Sequence, residues 1–173
     1  MLFETNHLIV RRITADDLDA MCAVYGDVDA MRWVADGTGL GRDGCARWTE
    51  KTLRNYATRG YGMSALVLKE GGTVIGFCGL VHADGRIVPE IKYALRREYW
   101  GRGLASEAAR GMLEYGSRAF GLRKIIATTD PDNLASHRVL IKAGMTDAGV
   151  RRNDDGTFTR LFAWHAADGL RCA

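Results

Sequence analysis

The chain has 173 residues, a length that suits one domain with a hydrophobic core of its own. Its content of 47% hydrophobic and 26% charged residues is ordinary for a soluble globular protein. The net charge of +3 is mild and the basic residues are spread out, so we expect no specific nucleic-acid partner. The four cysteines lack the spacing of a zinc site or of a disulfide framework. With no leader-like start and no long apolar run, the sequence predicts a cytoplasmic protein without a membrane segment or a metal.

The first sixty residues are predicted to form one strand followed by helices. The apolar centre of residues 7–13 indicates the strand, and Thr14 then suits a helix N-cap because acidic residues follow it. Apolar residues at three- and four-residue steps predict a helix over residues 18–25. A short helix over residues 27–34, a glycine-rich loop and a helix over residues 46–58 complete this part.

The middle of the chain predicts three consecutive antiparallel strands. Residues 62–68 and 73–82 flank a Glu-Gly-Gly turn, which is a hairpin signature. A second turn leads into a strand over residues 87–95. Pro89 lies near the start of this strand, and because proline cannot donate to a ladder it marks an edge, a strand start or a bulge.

The last part of the chain alternates helices and strands. A glycine turn starts a helix that ends near Phe120, and residues 124–129 follow as a short strand. A second helix over residues 134–143 ends at a glycine C-cap, and residues 145–151 and 157–165 form a closing hairpin. Small and apolar residues share one face of the first helix and let it lie close to a sheet: Leu104, Ala105, Ala108, Ala109, Met112, Leu113 and Gly116. This order predicts a single α/β domain over residues 1–173 with a mixed sheet.

The glycine turn before the first of these helices is the most informative segment of the chain. Gly101 and Gly103 let backbone N–H groups approach a ligand closely, and the helix N-terminus behind them carries partial positive charge. Three arginines, Arg96, Arg97 and Arg102, flank the turn. The segment therefore suits a phosphate or pyrophosphate group of a cofactor.

Two kinds of nucleotide-binding site, a dinucleotide site and a P-loop, are the competing interpretations of this turn. The glycines and Ser106 nearly match the dinucleotide pattern GxGxxG, but an antiparallel meander precedes them and only one β-α-β unit follows. A doubly wound fold needs more parallel crossovers. No P-loop motif is present either, so we disfavour both sites.

Residues 100–108, Trp-Gly-Arg-Gly-Leu-Ala-Ser-Glu-Ala, resemble the acetyl-coenzyme A motif of the GNAT N-acetyltransferase superfamily. Residues 90–95, 133–145 and 8–12 resemble further segments of one branch, the bacterial ribosomal-protein N-terminal acetyltransferases. The resemblance covers nearly the whole chain. It implies a GNAT-like α/β domain with a mixed, mostly antiparallel sheet of about seven strands and with about four helices. The sheet would be splayed between its fourth and fifth strands.

The resemblance implies that acetyl-CoA is the co-substrate. Backbone N–H groups of the turn would hold the pyrophosphate, and Arg97 and Arg102 would add charge-assisted contacts, unless they only form a solvated surface. Residues 93–95 would pair with the pantetheine amides through an opening that a bulge near residues 89–91 would help create. Tyr93 could otherwise be a core aromatic. The predicted cofactor-binding residues are Tyr93, Ala94, Leu95, Arg97, Trp100, Gly101, Arg102, Gly103, Leu104, Ala105, Asn133 and Ser136.

The resemblance also implies direct transfer of the acetyl group to an amine. Glu90 is the predicted general base, because a substrate ammonium needs help to lose its proton at neutral pH. The alternative for Glu90 is a surface strand residue or a partner of Lys92. Ser136 is the predicted acid for the leaving thiolate, or else it only hydrogen-bonds the sulfur region. Asn133 suits a helix N-cap and a cofactor contact together.

Three positions depart from the family pattern. Glu98 replaces the usual Gln or Arg at the start of the motif, and we expect its side chain to point away from the pyrophosphate. Met145 replaces a phenylalanine in a tolerable core exchange. Leu140 stands where many relatives carry the tyrosine that protonates the leaving thiolate, so that acid is absent.

The acceptor pocket has weaker candidates. Trp33, Asp36, His82 and Trp164 are considered for its lining, although core packing is the alternative for the tryptophans. The predicted substrate-binding residues are Trp33, His82 and Glu90. Cys78, in an apolar strand, is expected in the core rather than as a nucleophile, and His137 is expected to be exposed on its helix.

The sequence therefore predicts an acetyl-CoA-dependent N-acetyltransferase that acts on a protein N-terminal amine. A small-molecule amine is the alternative acceptor. A catalytically idle acyl-CoA-binding module is the alternative from another class. We expect a monomer or a homodimer.

Overall fold

The protein is described here by a computed structural model that covers residues 1–33 and 37–167. The strands are β1 (Phe3–Glu4), β2 (Leu8–Arg12), β3 (Met63–Leu68), β4 (Val74–Val81), β5 (Glu90–Leu95), β6 (Lys124–Thr129), β7 (Thr146–Arg152) and β8 (Phe158–His165). The helices are α1 (Leu18–Tyr25), α2 (Val28–Met31), α3 (Arg42–Arg59), α4 (Leu104–Phe120) and α5 (Leu134–Lys142). The strands of these ranges form one mixed sheet in the order β1-β2-β3-β4-β5-β6-β8-β7. The predicted fold class is confirmed. The described residues form eight strands where about seven were expected, and five helices, as in the chain-order prediction, where the resemblance implied about four.

The sheet opens between β5 and β6. These two strands are parallel and share a single register pair, Glu90 with Ile126, where the Ile126 N–H donates to the Pro89 carbonyl at 3.0 Å. On their other sides, β5 pairs with β4 and β6 pairs with β8 along their full lengths. The two strands therefore diverge after Ile126, and beyond this pair no described strand forms a ladder with the edge of β5 that faces β6. This is the predicted splay.

The bulge predicted near residues 89–91 is wrong. The register of β4 and β5 runs without a shift from the pair Gly76–Leu95 to the pair Val81–Glu90. The strand begins directly after Pro89, and Ile87, which was expected inside it, is 92% exposed. The opening comes from the divergence of β6 instead.

Helices cover both faces of the sheet. Leu113 of α4 and Leu140 of α5 are buried on one face, whereas Met21 of α1 and Cys45 of α3 are buried on the other. Helix α4 lies close to the sheet at Gly116, where a Cβ atom would come within 2.7 Å of the Leu80 side chain. The small-residue face predicted for α4 is confirmed, because its members other than the partly buried Ala105 are buried.

Most other boundaries differ from the prediction by a few residues. Strand β1 was not predicted, since two residues are too few to show a periodicity. Helix α3 begins at Arg42, four residues before the predicted start. The end of the predicted helix over residues 27–34 lies outside the described residues. No helix within the described ranges is long and apolar enough to cross a membrane.

Candidate active site

Strand β5 distributes the predicted site residues over the two faces of the sheet. Tyr93 and Leu95 pack with the core of α4 and α5, whereas Ala94 packs with the core of α1 and α3. Because side chains alternate along a strand, Glu90 lies on the face of Ala94. Tyr93 reaches Ser136 on the opposite face. The predicted base and the predicted acid therefore flank the β5–β6 opening from opposite faces.

Glu90 is buried at the point where β6 leaves β5, and only 1% of the residue is exposed. Its Oε1 accepts hydrogen bonds from Lys92 Nζ at 2.5 Å, from the Thr128 backbone N–H at 3.1 Å and from the Thr128 hydroxyl. Its Oε2 lies 3.9 Å from Arg86 Nη1, which is too long for a hydrogen bond. Oε1 thus bridges β5 and β6 where the splay begins, and Oε2 lies on the side of the Arg86 guanidinium.

Thr128 was not predicted as a site residue. No motif marks it, and it reaches Glu90 only because β6 leaves the β5 ladder after Ile126, two residues before Thr128. The alternative considered for Glu90, a partner of Lys92, is present in the structure. The sequence does indicate the contact between Glu90 and Lys92, because side chains two residues apart on a strand lie on the same face of the sheet.

Ser136 lies in the first turn of α5. The Asn133 side chain accepts a hydrogen bond from the Ser136 N–H at 3.1 Å and caps the helix, as expected. The Ser136 hydroxyl lies 2.6 Å from Tyr93 Oη. Burial raises the pKa of Tyr93, and the hydrogen bond to Ser136 offsets part of that rise. Leu140 of α5 is fully buried in the core and offers no acid at its position.

Two residues were expected to take no part in the chemistry. Cys78 is fully buried, and burial raises the pKa of its thiol, which agrees with the predicted core position. The predicted exposure of His137 is wrong, since only 7% of it is exposed. Its Nε2 lies 3.0 Å from Thr129 Oγ1 and 3.1 Å from the Asp130 carbonyl oxygen, and its ring packs on Phe162. These contacts hold the start of α5 against the end of β6.

The glycine turn after β5 has the geometry of an anion site. Gly101 has a φ of 73° and Gly103 a φ of 79°, and a Cβ atom on either would meet nothing within 4 Å. Within the described chain, the N–H groups of Gly101, Arg102 and Gly103 have no backbone partner. Helix α4 begins at Leu104 without a side-chain cap, so its first N–H groups are unpaired as well. The turn therefore presents free donors to open space.

Arg97, which was expected to contact the pyrophosphate, pairs with acidic residues outside the turn. Its Nε lies 2.6 Å from Asp27 Oδ2 and its Nη1 lies 2.8 Å from Asp29 Oδ2, at the start of α2. Two carboxylates hold the guanidinium, and Arg97 links α2 to the segment before the turn. We therefore leave it out of the anion site.

The other charged residues near the turn have different partners. Arg96 pairs with Glu98 at 2.7 Å, which keeps the Glu98 carboxylate occupied at the surface. The Arg102 guanidinium lies 5.5 Å from the Tyr99 ring centroid and has no carboxylate partner among the described residues. Trp100 is half exposed, and its indole N–H donates to the Leu95 carbonyl at 2.8 Å. Arg102 is thus the flanking cation without an ion pair in this part of the structure.

The acceptor candidates are only partly brought together. His82 follows Val81, the register partner of Glu90. Its Nδ1 lies 2.6 Å from the Arg86 carbonyl oxygen and must donate to it, so a neutral ring accepts from Tyr61 Oη through Nε2 at 2.7 Å. Both ring nitrogens are therefore engaged.

The two candidate tryptophans differ in their surroundings. Trp33 is 40% exposed, with the Arg32 guanidinium over its ring. Trp164 packs against the core of α4 and α5, which supports the core alternative. Asp36 lies outside the described residues.

Comparison with known proteins agrees with this geometry. The family model of the acetyltransferase (GNAT) domain matches residues 7–146. The N-acetyltransferase YoaA of Bacillus subtilis strain 168 is 32% identical over 158 residues, covering 87% of this chain and 86% of the relative.

Solved structures share the fold. A GNAT-family acetyltransferase from Bacillus anthracis superimposes with a TM-score of 0.80 at 24% identity over 94% of this chain and 96% of its own. RimL, described as a ribosomal L7/L12 alpha-N-protein acetyltransferase in complex with coenzyme A, gives a TM-score of 0.79 at 15% identity over 95% and 97%. The matched domain contains both the β5–β6 opening and the glycine turn, and the chain belongs to the GNAT acetyltransferase family.

Proposed function

We propose that this protein transfers the acetyl group of acetyl-CoA to a protein N-terminal amine. The observation that carries the proposal is the position of the free backbone donors. They lie in the glycine turn that follows β5. The splay leaves the β6-facing edge of that strand without a paired strand beyond Glu90 among the described residues. A pyrophosphate bound at the turn would thus bring the pantetheine arm of the cofactor to the open edge of β5.

Main-chain groups of β5 suit the amides of a pantetheine arm. The Arg96 N–H bonds across to the Ile75 carbonyl, so the alternation along the strand turns the main-chain groups of Tyr93 toward the opening. Gly101, Gly103 and the N-terminus of α4 would hold the pyrophosphate through backbone donors, with Arg102 as the added cation. No heavy atom of another residue lies within 4 Å of the Cβ position of Gly101 or Gly103, apart from their chain neighbours, which supports this fit.

Glu90 acts on the amine and Ser136 on the leaving sulfur. Glu90 removes the proton of the substrate ammonium, so that the neutral amine can form the C–N bond. Its burial favours a water molecule between the carboxylate and the amine. The Ser136 hydroxyl faces the sulfur as the C–S bond breaks, with its backbone held by the Asn133 cap.

The acceptor is inferred from likeness. RimL, which shares the fold, is described as acting on an α-amino group of a ribosomal protein, and the motifs of this chain resemble that branch. Trp33 and His82 are proposed to border the acceptor, since one is exposed and the other adjoins the strand of Glu90.

Release of free thiol from acetyl-CoA tests the activity and the acceptor together. We expect release with peptides that carry a free α-amine, and mass spectrometry should find one acetyl group at the N-terminus. Matched peptides with a blocked N-terminus and a free lysine should give none. Release only with small amines would overturn the protein acceptor, and no release with any amine despite coenzyme A binding would leave a binding module.

Replacing Gly103 with alanine tests whether the backbone N–H groups of the glycine turn bind coenzyme A. The added Cβ enters the space that the turn faces, so calorimetry should give at least roughly tenfold weaker coenzyme A binding. Gly72→Ala is the matched control, because Gly72 also has a positive φ and an open Cβ position but lies in the β3–β4 turn. Equal affinities of the two variants for coenzyme A would contradict binding by the backbone donors of the glycine turn.

A further inference from the structure

The Ser136 hydroxyl has a defined partner inside the protein. Tyr93 Oη lies 2.6 Å from Ser136 Oγ and 3.4 Å from the Ser136 carbonyl oxygen. The two residues are 43 positions apart and come from β5 and α5, the elements that border the opening on this face. No other hydrogen bond of Ser136 Oγ occurs among the described residues.

The chemistry of the two hydroxyl groups fixes the direction of their hydrogen bond when a thiolate is near. A thiolate can only accept, and serine has one hydrogen to give. If serine gives that hydrogen to the sulfur, its oxygen must accept from tyrosine. Burial raises the pKa of the Tyr93 phenol, which keeps it protonated and able to donate.

We propose that Tyr93 is a positioning residue for the leaving group: its phenol donates to Ser136 Oγ and thereby directs the serine hydrogen toward the departing sulfur. This role rests on the proposed function. Hydrogen bonds in such a chain polarise one another, so the donation from Tyr93 also strengthens the donation from Ser136. Tyr93 thus supplies from β5 a phenol that α5 lacks at the buried Leu140.

The protons balance without a charged tyrosine or serine. The electron pair of the C–S bond goes to sulfur. The proton of the substrate ammonium goes to Glu90 before attack, and the proton that the nitrogen loses as the amide forms goes to water. A serine hydroxyl is a far weaker acid than a thiol, so Ser136 stabilises the thiolate by a hydrogen bond and keeps its proton. The released thiolate takes a proton from water.

Binding of coenzyme A and of desulfo-coenzyme A, which lacks the sulfur atom, tests this role without turnover. In Tyr93→Phe we expect affinity for coenzyme A to fall about five- to tenfold at a pH where its thiol is ionised, the effect of losing one hydrogen bond. Affinity for desulfo-coenzyme A should stay within about twofold. Ser136→Ala should show the same selective loss, and Tyr93→Phe should add nothing in that background.

Tyr61→Phe is the matched control, because it removes a phenol that hydrogen-bonds His82 instead of Ser136. It should leave the ratio of the two affinities unchanged. In transfer assays, Tyr93→Phe should lower kcat with little change in KM for acetyl-CoA. Equal weakening of both ligands, or of neither, would overturn the role of Tyr93. Absence of transfer by the wild-type protein would instead refute the proposed function, and the affinity ratio would still decide about Tyr93.

Discussion

Glu90 combines a structural contact with its proposed chemical task. Its Oε1 accepts from the Thr128 N–H, a main-chain donor that lost its ladder partner where the strands part. A buried donor without a partner is costly, so the carboxylate stabilises the opening itself. Any test of Glu90 as a base must separate these two contributions.

Replacing Glu90 with glutamine keeps an oxygen acceptor for Thr128 and removes the base. We expect kcat to fall roughly 100-fold near neutral pH, within the range of general-base catalysis. The loss should shrink as the pH rises toward the pKa of the amine, because a neutral amine needs no base. The measurement is the pH profile of kcat with one peptide acceptor.

Thr128→Val is the control for the structural contribution. It removes the hydroxyl that bonds Glu90 but keeps the backbone donor and the branched shape. Its kcat should change only a few-fold at every pH. A pH-independent loss of equal size in both variants would mean that Glu90 acts through the sheet alone.

The residues that could be predicted are those whose role is local. Asn133 caps the helix of Ser136 three residues away, and Gly103 needs only its own backbone to adopt a positive φ. The burial of His137 and the ion pairs of Arg97 were not predicted, because distant partners decide their positions. The carboxylate of Asp27 lies 70 positions from Arg97 in sequence, and no pattern of charges along the chain indicates that pairing.

Among the elements, strands with a clear boundary were predicted best. The structure gives β6 as Lys124–Thr129, as expected from its β-branched run, whereas β5 is shorter because the ladder begins only after Pro89. The order of strands in the sheet follows from contacts between elements, which a period of two cannot reveal. The splay was implied by the family resemblance, and its cause, a single parallel pair, became visible only in the structure.

Strand β4 depends on two glycines where its neighbours approach closely. A Cβ atom on Gly79 would overlap the Gly62 carbonyl oxygen and the Met63 Cα atom of the β3 side, and one on Gly76 would overlap the Ala94 carbonyl oxygen of β5. These are backbone atoms that cannot turn aside. The two glycines therefore let β4 lie between β3 and β5 at this spacing.

Replacing Gly79 with alanine should therefore destabilise the whole sheet. We expect a loss of about 3 kcal/mol in the free energy of unfolding, at the upper end of overpacking costs. For a chain of this size, that loss lowers Tm by roughly 6–12 °C in a thermal melt followed by circular dichroism. Gly44→Ala is the control, because its Cβ would find Leu40 at an ordinary 3.4 Å and sits in helix α3. An unchanged Tm for Gly79→Ala would contradict the close approach.

At the scale of the whole molecule, the two borders of the opening are unequal. On β6, the Thr128 N–H is already bound by Glu90. On β5, the main-chain groups of Tyr93 face the opening without a ladder partner. A ligand that pairs as an added strand is therefore expected to hydrogen-bond to the main chain of β5 and not to that of β6.

Hydrogen exchange with and without coenzyme A tests this asymmetry. We expect the amides of Tyr93 and of Gly101–Gly103 to exchange more slowly when the ligand is present at saturating concentration, because each gains an acceptor there. The Thr128 amide should show only the general slowing that binding gives to every amide that exchanges through global unfolding, about 100-fold at 100 times Kd. The amides that join β3 to β4 provide the reference for that general effect. Extra protection of Thr128 equal to that of Tyr93 would mean that the ligand displaces the Glu90 contact and bonds both borders.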